Sequence, residues 1–365
     1  MGILILLIWC VIFLIEIYII WEKSTRMMNL KRKNKNKLFH DKQCRKYLKI
    51  GPKRRKNKKP CNKRQNCVIL HAPTDLDLFA KTEESLSFFS EVISKANQCT
   101  MGSCLYFDLS AIERVSPDAI MYLIAIISNN KRIRSFRILC RGNMPENNMA
   151  KQVFYDVGFF DFVNSTGRIT EKSSECMRIR SGQRSEPGAA AEFCDFANNS
   201  GEVSVKKTKK LFPMLVELMA NTVQHAYGSN LHGESKMLAN WYVFARDDGD
   251  SIRFIYLDTG VGIPKTVGRR LTEWVIDKFS AKTDAVFLRT ALTGERFRSE
   301  TKLPYRGNGL PEIYNNCRAG KINELQIISG RAICSANGAE LEAHSLGTSF
   351  EGTLFSWRIT KGEES

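Results

Sequence analysis

The stretch Leu211–Gly228, LFPMLVELMANTVQHAYG, constrains this chain more than any other. Wound as an α-helix at about 100° per residue, it brings Glu217, Asn221, Gln224 and His225 into one stripe. Leu211, Leu215, Leu218, Met219, Ala220, Val223, Ala226 and Tyr227 fill the rest of the circumference. A helix this apolar is buried on most sides. A carboxylate, two amides and an imidazole on one buried line must find hydrogen-bond partners or hold a ligand. The plain alternative is the solvated face of a surface helix, and the segments downstream favour the ligand.

Those segments are Asp258-Thr259-Gly260-Val261-Gly262-Ile263-Pro264, after an apolar run at Ile252–Leu257, and then Arg306-Gly307-Asn308-Gly309-Leu310. Taken in order with the helix, they resemble the three boxes of the GHKL ATPase superfamily. That superfamily includes histidine kinases, anti-sigma-factor serine kinases, type II topoisomerases, mismatch-repair ATPases and large heat-shock chaperones. Glu217 and Asn221 fall on its Glu-x-x-x-Asn, Asp258–Gly262 on its Asp-x-Gly-x-Gly, and Gly307–Leu310 on its Gly-x-Gly-Leu. A lone Gly-x-Gly carries little weight; three boxes in order carry much.

The resemblance implies an α/β sandwich with helices on one face of a mixed sheet, and ATP with Mg²⁺ as cofactors. It makes Asp258 the acceptor of the adenine exocyclic N–H, with Gly260 and Gly262 letting the backbone approach the base. Asn221 offers an oxygen to Mg²⁺, and Glu217, one turn earlier, orients or deprotonates the attacking water or hydroxyl. Arg306, Gly307, Gly309 and Leu310 meet the phosphates at the start of a helix. Thr353, in Gly352-Thr353, comes near the adenine, with Gly347-Thr348 as the competing alignment. The insert between Pro264 and Arg306 occupies the place of the family's ATP lid, and Arg298 and Lys302 join Arg306 as phosphate candidates. His225 reads as a hydrogen-bonded structural residue.

Charge separates the ends of the chain. The formal net charge is +17, and Glu22–Arg64 alone holds 19 Lys or Arg against two acids. The globular remainder is close to neutral. Before this tail, Gly2–Trp21 is an apolar run broken only by Glu16, about the ~20 residues a membrane-spanning helix needs. It lacks the basic start and small-residue cleavage site of a signal peptide; a true start at Met27 or Met28 is the other reading. The basic excess on its C-terminal side places the tail and all that follows in the cytoplasm, at the cell membrane with a single pass. The tail, residues 22–66, reads as disordered and apposed to anionic headgroups, with a nucleic-acid-binding arm as the alternative.

Eleven cysteines occur without a Cys-x-x-Cys. Scattered singly in apolar runs, they read as small hydrophobes in a reducing compartment, with no structural metal.

Over residues 67–164 strands alternate with helices: strand 67–71, helix 78–96, strand 104–109, helix 118–128, strand 135–140 and helix 147–155. This is an α/β pattern. YFDLSAIERVSPDAIMYL, Tyr106–Leu123, resembles the STAS fold of anti-sigma-factor antagonists. The family's regulatory serine position falls on Pro117, so Ser116-Pro117-Asp118 reads equally as a helix start with Ser as N-cap and Pro at N1. Residues 165–204 read as linker with a short helix near 189–196.

The fold expectation is therefore α/β: an N-terminal membrane helix (1–21), a basic tail (22–66), a STAS-like α/β domain (67–164), a linker (165–204) and a GHKL-type sandwich (205–362). The functional expectation is a membrane-tethered regulatory protein that hydrolyses Mg-ATP or phosphorylates Ser/Thr. The alternatives are an ATP-dependent conformational switch without catalysis, and a nucleic-acid-binding regulator using the tail. Expected partners are ATP, the membrane, a regulatory protein and a second copy of the chain.

Overall fold

A computed structural model describes residues 67–163, 173–200, 203, 205–227, 237–270, 283–294 and 309–362; of 205–206, 224–227 and 269–270 only the helical backbone is described. The expected membrane helix, the basic tail, Arg298, Lys302, Arg306, Gly307 and the side chains of Gln224 and His225 lie outside what is described. Among the described residues no helix is long and apolar enough to cross a membrane. Residues 64–365 form one compact unit of mixed α/β architecture.

The first part of that unit carries β1 (Cys67–His71), β2 (Asp75–Leu76), α1 (Thr82–Gln98), β3 (Cys104–Asp108), β4 (Arg114–Val115), α2 (Pro117–Asn129), α3 (Lys131–Phe136), β5 (Leu139–Gly142) and α4 (Asn148–Val157). A parallel sheet of order β1-β3-β5 follows from the helical crossovers. The strand expected at 135–140 begins only at Leu139. Before it, the Asn130 side chain caps α3 by accepting from Arg132 N and Ile133 N, and the helix ends at Arg137 in the left-handed region. Local capping outweighs the strand-like apolar pattern here. Ser116 is the N-cap of α2, with Pro117 at the first helical position.

The cysteine reading is corrected at one pair. Cys67 and Cys104 occupy facing positions of β1 and β3, with Cα atoms 4.4 Å apart, and are joined by a disulfide. The spacing is within the range a bridge needs, and register, which the sequence does not declare, brings them together. The remaining described cysteines are free.

The second part adds β6 (Cys176–Gly182), α5 (Pro187–Asn199), α6 (Val205–Tyr227), β7 (Trp241–Asp247), β8 (Ser251–Asp258), α7 (Ile263–Arg270), α8 (Asp284–Thr293), α9 (Gly309–Arg318), β9 (Asn323–Asn337) and β10 (Glu340–Thr360). Much of the stretch read as linker is thus ordered: β6 is the edge strand beside β7, and α5 packs on α6 through Ala190, Phe193 and Ala197. β9 is one continuous strand and pairs with the still longer β10. The sheet order is β6-β7-β8-β10-β9, all antiparallel.

Alternation along these strands makes two buried faces. Trp241, Val243, Phe254, Tyr256, Phe355 and Trp357 point to the layer that contains α5, α6 and α9. Tyr242, Phe244, Ile255, Leu257, Ile328 and Leu354 point the other way, into a core shared with α1 and α2. That explains why α2, PDAIMYLIAIISN, is buried from Pro117 to Ile126 on every side: it lies between two sheets and has no solvent face to make polar.

Candidate functional site

The cleft forms where β8 runs out under α6. Asp258, the last residue of β8, shares its face with Phe254 and Tyr256 by the two-residue period, and so emerges on the side covered by α6. There Glu217 and Asn221, one turn apart, look onto it. Thr353 on β10 stands in register with Asp258. Gly262, Ile263, Thr266 and Val267 wall the cleft from the loop and helix that follow β8, and Gly309 and Leu310 close it from the start of α9. The cavity measures about 110 Å³ and opens to solvent.

Of the residues singled out in sequence, Glu217, Asn221, Asp258, Gly262, Gly309, Leu310 and Thr353 line this one cleft. They come from four separate segments. Gly260 does not line it; its backbone N–H donates to the Asp258 carboxylate and turns the loop back. Arg306 and Gly307 lie outside the described residues. Of Gly352-Thr353 and Gly347-Thr348, Thr353 is at the cleft, whereas Gly347 N donates to Glu83 on α1 at 2.7 Å.

Two groups that sequence reading missed shape the floor. Thr222, next to Asn221, donates to Leu218 O at 3.0 Å, and its hydroxyl lies 2.6 Å from that of Tyr256. Tyr256 lines the cleft and is wholly buried. The signal was present in the two-residue period of β8, which puts Tyr256 beside Asp258. Ser329 was also missed: its hydroxyl accepts from Ile263 N at 2.9 Å, donates to Gly352 O at 3.0 Å and lies 2.9 Å from Thr353 Oγ1.

The electrostatics are those of a desolvated acceptor. Burial pushes the Asp258 carboxyl up to about 6, against hydrogen bonds from Gly260 and Thr222 that lower it. Such a group is still mostly ionised near pH 7 and gains from a ligand N–H aimed at it. Around it Leu218, Val261, Ile263, Val267, Ala291 and Phe355 supply apolar wall, which suits a flat heteroaromatic ring. Glu217 and Asn221 supply oxygens to the same cleft.

Gly309 makes the last approach possible. A Cβ there would stand 2.6 Å from the Glu217 side chain, so a larger residue would push the carboxylate away from the start of α9. Among the described residues no three His, Cys, Asp or Glu side chains converge as a metal site. A hard cation held here would need ligand oxygens and water beside the oxygens of Asn221 and Glu217, the pattern of Mg²⁺ on a phosphate ester.

In comparisons with known proteins, the chain matches no family model and no curated protein.

Proposed function

We propose that the chain is an ATP-binding regulatory protein of the GHKL type, preceded by a STAS-like segment and tethered to a membrane through residues 1–21. The observation that supports it best is convergence. Residues quoted from three sequence boxes, up to about a hundred positions apart, line one cleft that holds the Asp258 acceptor together with the oxygens of Glu217 and Asn221. Asp258 accepts the adenine exocyclic N–H, and the apolar wall takes the ring. Asn221 would hold Mg²⁺, which would supply neutralisation of phosphate charge. Glu217 holds or accepts a proton from the attacking water or hydroxyl, so the activity is ATP hydrolysis or transfer to a protein Ser/Thr.

The test is nucleotide titration of the full chain with Mg²⁺, followed by Glu217→Ala. The variant should bind ATP as the wild type does and lose turnover by ~10²–10⁴-fold. No binding by the wild type would overturn the assignment. Binding without turnover in the wild type would leave a conformational switch. The tether is tested separately: deletion of residues 1–21 should move the chain from the membrane to the soluble fraction, and a full-length chain already soluble would end that part.

A further inference from the structure

The loop 258–262 is held from both sides, and both holds lead back to the same helix. On one side, the α2 residue Tyr122 is fully buried and stacks on Phe350 of β10 at 4.3 Å between ring centroids. Its hydroxyl accepts from Glu351 N at 3.1 Å. The next residue, Gly352, accepts through its carbonyl from Ser329 Oγ, which in turn accepts from Ile263 N at the end of the loop. On the other side, the last residue of α2, Asn129, is also buried. Its carbonyl accepts from Leu238 N at 2.9 Å and its amide donates to the Tyr242 hydroxyl at 2.5 Å. Leu238 O accepts from Thr259 Oγ1 at 2.6 Å, and Asn240 exchanges backbone and hydroxyl bonds with the same threonine.

Thr259 follows Asp258, and Ile263 follows Gly262. Two short relays of ordered backbone therefore join α2 to both ends of the loop that carries the carboxylate.

We infer that α2 is the positioning element of the cleft, with Tyr122 and Asn129 as positioning residues, so that the state of residues 67–163 sets the affinity of the cleft for its nucleotide. The inference rests on the nucleotide reading for the identity of the ligand, but the mechanical link does not. Coupling of this kind is reciprocal. A ligand that orders the loop must also steady the two relays, and a change at α2 must reach the loop.

The experiment is amide hydrogen exchange on the full chain, with and without saturating ADP, for wild type, Tyr122→Phe and Asn129→Ala. Tyr122→Phe keeps the stacked ring and removes only the acceptor; Asn129→Ala keeps the carbonyl that meets Leu238 N but removes the amide donated to Tyr242, which loosens the end of α2 at the second relay, and it serves if the first variant fails to fold. In the wild type, ADP should slow exchange at Leu238 and Glu351, neither of which lines the cleft, as well as at Thr259 and Ile263. Either variant should speed exchange at Thr259 and Ile263, leave α9 and the β1–β3 ladder unchanged, and weaken ADP by about three- to tenfold. Uniformly faster exchange would mean general destabilisation and overturn the inference, as would unchanged exchange at 258–263 in both. If the wild type binds no ADP, the nucleotide reading fails, and the ligand-free comparison of variants still decides the link.

Discussion

Asp258 holds its proton to about pH 6 because the carboxylate is taken out of water faster than Gly260 and Thr222 compensate. The sign of the consequence follows from proton counting. Between the ordinary value of 3.8 and about 6 the folded chain binds more protons than the unfolded one, so this residue's contribution to stability is full below that window and is lost as pH rises through it. Nucleotide binding runs the other way: a carboxylate protonated below about pH 6 has one acceptor fewer for the adenine N–H, so affinity should fall on acidification and binding should release protons. Asp258→Asn should flatten its share of the stability slope and weaken ATP by about ten- to a hundredfold, the range for losing a buried hydrogen bond to a charged group. Asp118, whose carboxyl burial also pushes up to about 6, keeps its own share in both proteins and serves as the internal reference. Melting between pH 4 and 7, with calorimetry at each pH, measures both effects; identical ATP affinity for wild type and variant would remove Asp258 from the site.

At the scale of elements, the bulged middle of β10 ties the sheet to the cleft. Pairing with β9 breaks register between Phe350 and Thr353, and Gly352 takes φ +119 there, with a would-be Cβ overlapping the Asp258 carbonyl. Gly352→Ala therefore meets both a disfavoured backbone angle and a backbone clash, and should cost about 2 kcal/mol or more. Denaturant unfolding reads this directly, and full retained stability would show that the end of β8 can yield. Neither the bulge nor its partner was legible in sequence, because both depend on which strand lies beside which. Glu217 and Asn221 were legible, since four residues along a helix is one turn and needs no tertiary knowledge. Asp258 with its glycines was legible for the same local reason. The edge strand β6, CMRIRSG, was not: its burial is uneven and only Ile179 is fully covered, so its alternation is faint. The role of α2 had a signal that composition alone gave, an all-round apolar helix, but the partner covering its second side is more than a hundred residues away.

For the whole molecule, the decisive fact is that the five-stranded sheet is buried on both faces along β7, β8 and the second half of β10. Tyr242, Phe244, Ile255, Leu257, Ile328 and Leu354 are buried in the core they share with α1 and α2. Full burial of such a side chain is worth about 1.5–3 kcal/mol, so stripping residues 67–163 away forfeits on the order of 10 kcal/mol. Whole domains are stable by only about 5–15 kcal/mol. A fragment of residues 205–365 should consequently fail to fold on its own or should associate through the uncovered face, and it also loses β6 from the edge of its sheet. Residues 67–365 should instead melt as one cooperative transition, because a core shared between the two sheets leaves no boundary at which half of the unit can open alone. Size-exclusion chromatography and thermal melting of the two fragments decide it. A monomeric 205–365 fragment that melts where 67–365 does would show that the first segment merely docks, and then the hold of α2 on the glycine loop would have to be exerted by a partner that comes and goes. A single shared transition makes the hold permanent, so that only changes within residues 67–163 could adjust the cleft.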